Sequence, residues 1–102
     1  MSKKLIEIDQ LIAKTMEEML KSGMAKQTVW SAGYYGCYRM ISKYYHQQNQ
    51  ETYSDNIMND YAALLASRFE AGEICRGYYR CHQKAIERLR EIYETGQLSW
   101  QY

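Results

Sequence analysis

The chain has 102 residues, 46% of them hydrophobic and 25% charged, with a formal net charge of +1. That length suits one domain around one core and argues against a multidomain enzyme. No apolar run approaches the roughly 18 residues of a membrane span. The near-zero charge excludes a long polybasic or polyacidic tail, and three cysteines without paired CxxC spacing exclude a disulfide scaffold.

The N-terminus turns amphipathic at once, with Glu7 and Asp9 close behind Leu5, and it has no uninterrupted apolar stretch of the kind a secretory leader carries. A cytoplasmic protein with reduced, mostly buried thiols is expected. Proline is absent and glycine occurs six times, so little interrupts a helix. No sustained alternation of apolar and polar residues predicts a strand.

Four helices are predicted in chain order. The first runs from about Lys3 to Lys21, with Leu5, Ile8, Ile12, Met16, Met19 and Leu20 on one apolar stripe. Gly23 suits the left-handed position that ends it. The second starts near Ala25–Thr28 and continues unbroken to about Gln48. Val29, Gly33, Gly36, Cys37, Met40, Ile41 and Tyr44 form its buried face, and the polar string from His46 to Gln50 ends it. Ser54 caps the third, with Asp55 at the positive end of its dipole; Ile57, Tyr61, Leu64, Leu65 and Phe69 give its stripe, and Ala71-Gly72 stops it. The fourth covers about Ile74 to Thr95, with Ile74, Tyr78, Cys81, Ala85, Leu89 and Ile92 inward and Thr95-Gly96 closing it. Two aromatics, Trp100 and Tyr102, follow in the tail. Four helices with short connections predict an all-α chain folded as a compact four-helix bundle.

Charge is sorted along this chain. Residues 19–50 contain no Asp or Glu but hold Lys21, Lys26, Arg39 and Lys43; residues 74–86 are also acid-free and hold Arg76, Arg80 and Lys84 at i, i+4, i+8. Seven of the eleven tyrosines, Tyr34, Tyr35, Tyr38, Tyr44, Tyr45, Tyr78 and Tyr79, fall in these two segments. Tyr44 and Tyr78 lie on apolar stripes, whereas Tyr34, Tyr35 and Tyr38 do not. Guanidinium forks and exposed phenols at such spacing fit successive phosphates of a polyanion. The plainer alternatives are a solvated helix face for the cations and core edging for the tyrosines. Gly33 and Gly36 predict close approach of a neighbouring helix, and Gly77 leaves room for a phosphate near a helix start. Cys37, Cys75, Cys81, His46 and His82 match no zinc spacing, so no metal is expected. No nucleophile–base, HExxH or phosphate-loop motif occurs, so neither catalysis nor a cofactor is expected.

Leu11 through Trp100, about nine-tenths of the chain, resembles the N-terminal core-binding domain of tyrosine recombinases, the phage-integrase group. The resemblance rests on the lead-in Lys21-Ser22-Gly23-Met24-Ala25-Lys26-Gln27-Thr28, the following Val29-Trp30-Ser31-Ala32-Gly33-Tyr34, the short third-helix segment Asn59-Asp60-Tyr61 with Leu64 and Leu65, and the last-helix pieces Arg76-Gly77-Tyr78-Tyr79-Arg80 and Ala85-Ile86-Glu87-Arg88-Leu89. The tail Thr95-Gly96-Gln97-Leu98-Ser99-Trp100 resembles the approach to the catalytic domain. The family's usual proline in the lead-in is absent.

The resemblance implies a SAM-like bundle that clamps one side of a DNA duplex with its second and fourth helices. A separate catalytic domain would grip the other side and hold the catalytic Arg, His and Tyr, so no tyrosine here is cast as the nucleophile. The expected DNA contacts are Lys26, Gln27, Thr28, Ser31, Tyr35, Arg39 and Lys43 on the second helix and Arg76, Arg80 and Lys84 on the fourth. The expected partners are double-stranded DNA, the catalytic domain of the same protein and other recombinase protomers on DNA, with no membrane. The alternatives are a helical protein–protein interaction module that binds no DNA, and a small enzyme using Cys37 or Cys81.

Overall fold

The computed structural model describes residues 5–30 and 33–98. Its elements in order are α1 (Ile8–Lys21), α2 (Lys26–Trp30), α3 (Tyr34–Gln47), α4 (Asp55–Glu70) and α5 (Arg76–Thr95). No strand occurs among the described residues. One isolated antiparallel bridge pairs Glu7 with Thr52, and Tyr53 N–H donates to Ile6 O at 2.8 Å, tying the lead-in of α1 to the α3–α4 loop. No helix is long and apolar enough to cross a membrane among the described residues.

Helix ends follow local chemistry. After α1, Gly23 takes φ 95° while Met24 N–H bonds Met19 O and Gly23 N–H bonds Leu20 O. This double bond pattern satisfies the last carbonyls and needs a left-handed residue. Asn49 after α3 (φ 54°) and Gly72 after α4 (φ 76°) repeat it. Ser54 caps α4 as expected, its Oγ accepting from Ile57 N–H at 3.4 Å. Cys75 plays the same part for α5, its Sγ accepting from Tyr78 N–H at 3.5 Å.

α5 is the centre of the molecule and packs against α1, α3 and α4. Its inward side is His82, Ala85, Ile86, Leu89 and Ile92. Facing it are Ile8, Leu11, Met16 and Met19 of α1, Cys37, Tyr38, Ile41 and Tyr45 of α3, and Met58, Tyr61 and Leu65 of α4. Buried polar atoms are mostly matched: Thr15 Oγ1 donates to Leu11 O at 2.7 Å, Tyr38 O–H to Met19 Sδ at 3.2 Å, and Tyr45 O–H to Ser54 O at 2.8 Å.

Several expectations are corrected. The second predicted helix is two elements: Gly33 lies in a turn outside helix and precedes α3, so α2 and α3 do not run as one. The first helix starts at Ile8, and Leu5, expected on its stripe, is 88% exposed. Tyr38, expected outside the core, is 1% exposed, while Tyr78 and Met40, expected inside, are 41% and 37% exposed. The α3 stripe is turned toward Tyr38 and Tyr45, whose hydroxyls find Met19 Sδ and Ser54 O inside, and the start of the α5 stripe is turned toward His82. Leu64, expected in the α4 stripe, lies at the surface. Close packing at Gly36 is not found, since an added Cβ there would meet nothing within 4 Å. At Gly33 it would sit 3.9 Å from Cys81 Sγ, an ordinary contact. The tail aromatics Trp100 and Tyr102 lie outside the described residues.

Candidate nucleic-acid interface

The acid-free segments put their cations at the surface. Lys26 and Gln27 on α2 are exposed and Thr28 is half-buried; Ser31 lies outside the described residues. On α3, Arg39 and Lys43 are exposed and point away from the core stripe Cys37–Ile41–Tyr45. On α5, Arg76, Arg80 and Lys84 are exposed. At 100° per residue they fall within about 80° of arc, on the side opposite Leu89 and Ile92. Among the described residues none of these six cations is in an ion pair. By contrast, Lys21 meets Glu17 at 3.1 Å and Glu18 at 3.2 Å.

The predicted residues are not all brought together. Arg39 and Lys43 share an open groove of about 610 Å³ with Gly36, Met40, Ser42 and Tyr78, where the start of α5 meets α3. Arg76, Arg80 and Lys84 do not line that groove. They form a separate row along the outer side of α5. Gly77, beside Arg76, has open space where a Cβ would be, so backbone there is accessible.

Tyr35 keeps the exposure expected of it and gains partners. Its ring centroid lies 5.5 Å from that of Trp30, and the Arg39 guanidinium carbon sits 5.8 Å from its centre. Trp30 is 49% exposed. An aromatic–aromatic–cation ladder therefore crosses the α2–α3 junction, a surface on which a sugar or base can pack beside a neutralised phosphate. Trp30 was not among the candidate residues. The sign it offered was a large aromatic side chain two positions after Thr28, in the same short segment as Lys26, Gln27 and Thr28.

Two further clusters bring together residues distant in the chain; the sequence reading considers Cys37, Cys81, His46 and His82 as metal ligands and Cys37 or Cys81 as enzyme residues, and it does not single out Asp9 or Ser42 for a site. Asp9 of α1 accepts from Ser42 Oγ at 2.6 Å and meets His46 Nε2 at 3.0 Å. The Ser42 hydrogen bond, with help from His46, holds the Asp9 carboxyl below its ordinary value against the opposing effect of burial. The second cluster is internal. Cys37 Sγ lies 3.5 Å from Cys81 Sγ and 3.4 Å from His82 Nδ1. His82 is fully buried, and neither its Nε2 nor the Tyr61 hydroxyl has a partner among the described residues. No group of three or more His, Cys, Asp and Glu is placed to hold a metal ion among the described residues.

Burial pushes the His82 pKa below the ordinary 6.5. Around the ring lie the Cys37 thiol, the Tyr61 and Tyr78 phenols and the Tyr78 carbonyl oxygen, 3.4 Å from Nδ1, whose hydrogen bond opposes burial only in part. With the folded pKa depressed, the unfolded chain binds the extra proton first, so stability falls as pH drops below about 6.5. The slope from this one group is at most about 1.4 kcal/mol per pH unit. Urea midpoints at pH 7.5, 6.0 and 5.0 will show the decline, and His82→Phe will flatten it; an equal decline in that variant would place the titrating group elsewhere.

Comparison with protein-family models, with curated proteins and with solved structures found no match for this chain.

Proposed function

We propose that this chain is a DNA-binding domain and, more specifically, the core-binding arm of a tyrosine recombinase, working by positioning rather than by catalysis. The observation that supports it most is the set of exposed cations with no acidic partner among the described residues, Lys26, Arg39, Lys43, Arg76, Arg80 and Lys84, set on the two acid-free segments. Cations on a solvated face are usually interleaved with acids, as Lys21 is with Glu17 and Glu18. Here the α3 pair and the α5 row would neutralise phosphates. Gln27 and Thr28 would meet backbone or base edges, and the Trp30–Tyr35–Arg39 ladder would pack against sugar. A SAM-like arrangement of the bundle belongs to the same reading. Strand cleavage would belong to a catalytic domain of the same protein, and other protomers would share the site.

Binding by this domain alone is then weak, on the order of 10⁻⁴–10⁻⁶ M at physiological salt. With about four to six phosphates contacted, log affinity falls against log salt with a slope of about −4 to −5. Fluorescence anisotropy with a labelled duplex across a salt series measures it. A flat response would remove the electrostatic basis of the proposal.

A second reading, a helical protein–protein module, draws on one observation. Met40 and Tyr78, both more than a third exposed, border a second, mostly apolar cavity of about 310 Å³ that also takes in Tyr61, Leu65 and Ile74. Salt-indifferent binding with a concentration-dependent mass would favour that module over the DNA reading.

A further inference from the structure

Cys37 stands on α3 and Cys81 on α5, and both are unbridged thiols. Their sulfurs are 3.5 Å apart, although 44 positions separate them in the chain. Thiols brought to contact from different helices are uncommon unless packing holds them there. Here the surrounding core does so: Tyr38, Ile41 and Ala85, neighbours of the two on α3 and α5, are at most 1% exposed. The two are unequal. Cys37 is 2% exposed, whereas Cys81 is half-buried and reachable from solvent. Gly33, just before α3, lies beside that sulfur: a Cβ added there would sit 3.9 Å from Cys81 Sγ. The imidazole of His82 closes the group, with Nδ1 3.4 Å from Cys37 Sγ.

We infer that Cys37 and Cys81 form a dithiol–disulfide couple, a modification site that bonds α3 to α5 when the chain meets a low-molecular-weight disulfide. The inference is independent of DNA binding. Bringing the sulfurs from 3.5 Å to the bond length of about 2.05 Å asks for a shift of about 1.5 Å, within reach of a χ1 adjustment at the less confined Cys81.

The exposure difference orders the steps. Cys81 loses its proton to solvent, and the thiolate attacks one sulfur of the external disulfide, forming a mixed disulfide and releasing one thiolate, which takes up a proton. Cys37 Sγ then attacks Cys81 Sγ, and the second external thiolate leaves and takes up the proton that Cys37 gives up. Two protein thiols and one external disulfide thus become one protein disulfide and two external thiols. Burial and the contact with Cys81 push the Cys37 thiol up, which is why it serves as the resolving sulfur. His82 Nδ1 also lies 3.4 Å from Tyr78 O, a carbonyl that only accepts, so this nitrogen carries the N–H and stands beside Cys37 Sγ as a donor to the sulfur as it gains charge.

Cys75 is exposed and is the natural bystander. Serine replaces it well, since its sulfur acts as a helix N-cap and serine is a preferred residue there. The test is therefore made in the Cys75→Ser chain, incubated with oxidised glutathione and followed by intact-mass and peptide mapping. The expected product is monomeric, two hydrogens lighter and free of glutathione, with the Cys37 and Cys81 peptides joined. Adding Cys37→Ser should stop the reaction at a stable glutathione adduct on Cys81. His82→Phe, which removes the N–H beside Cys37 Sγ, should make the same adduct longer-lived before resolution than in the parent. Glutathione on both cysteines without an internal bond, bonding only between molecules, or no reaction at all would each overturn the assignment.

Discussion

Replacing Arg76, Arg80 and Lys84 together by alanine will weaken binding to duplex DNA by about 100-fold at low salt, if each cation contributes about 1 kcal/mol through one phosphate. The salt slope will shrink by about 2.7, the share of three neutralised phosphates. The loss should be uniform across sequences, because phosphate contacts position a protein without reading bases. The fold should not suffer. These side chains lie on the face of α5 opposite its buried stripe and in no ion pair among the described residues, and alanine is the better helix former. The thermal midpoint of the triple variant is therefore the control. Lys21→Ala supplies the contrast, because Lys21 is already held by Glu17 and Glu18 and should change affinity less than about twofold. Equal effects from Lys21 and the α5 row would mean that only overall charge matters.

Leu89→Ala will destabilise the protein by about 3 kcal/mol, within the range of about 2–5 kcal/mol for buried leucines. Leu89 is fully buried at the middle of α5, the helix that touches α1, α3 and α4 at once. A void there can be filled only by moving elements that also pack on each other, so little of the cost is recovered by collapse. Thermal unfolding should shift down by more than about 10 °C. Leu5→Ala, at a side chain 88% exposed, should change stability by less than about 0.5 kcal/mol. A small effect at Leu89 would contradict the central place given to α5.

What the sequence disclosed follows from what is local. The helix ends at Gly23, Ser54, Gly72 and Gly96 were legible because each depends on one or two residues acting within a turn; the start of α1 and the break before α3 have no side-chain cap and were missed. The α5 stripe from Ala85 to Ile92 was legible because several apolar residues repeat on one face. The buried faces of α3 and the start of α5 were not. There tyrosine, cysteine and histidine compete for the interior, and hydropathy ranks them poorly against methionine. Tyr38 goes in because Met19 Sδ accepts from its hydroxyl, and Tyr45 because Ser54 O does. Those partners sit on other segments, so no periodicity announces them. The same holds for the candidate site. Exposure of Arg39, Lys43, Arg76, Arg80 and Lys84 could be anticipated from helix spacing. The separation of the α5 row from the α3 groove, the ladder through Trp30, and the Cys37–Cys81–His82 contact depend on how helices cross.

The central claim is that duplex DNA is met by the outer faces of α2, α3 and α5. An NMR chemical-shift titration of the labelled chain with a short mixed-sequence duplex at low salt tests it most directly. Perturbed amides are expected along 26–30, 35–43 and 76–84, receding as salt is added. Perturbations confined to α1 or α4, or no perturbation at all, would contradict it and leave the sorted cations as ordinary solvated surface.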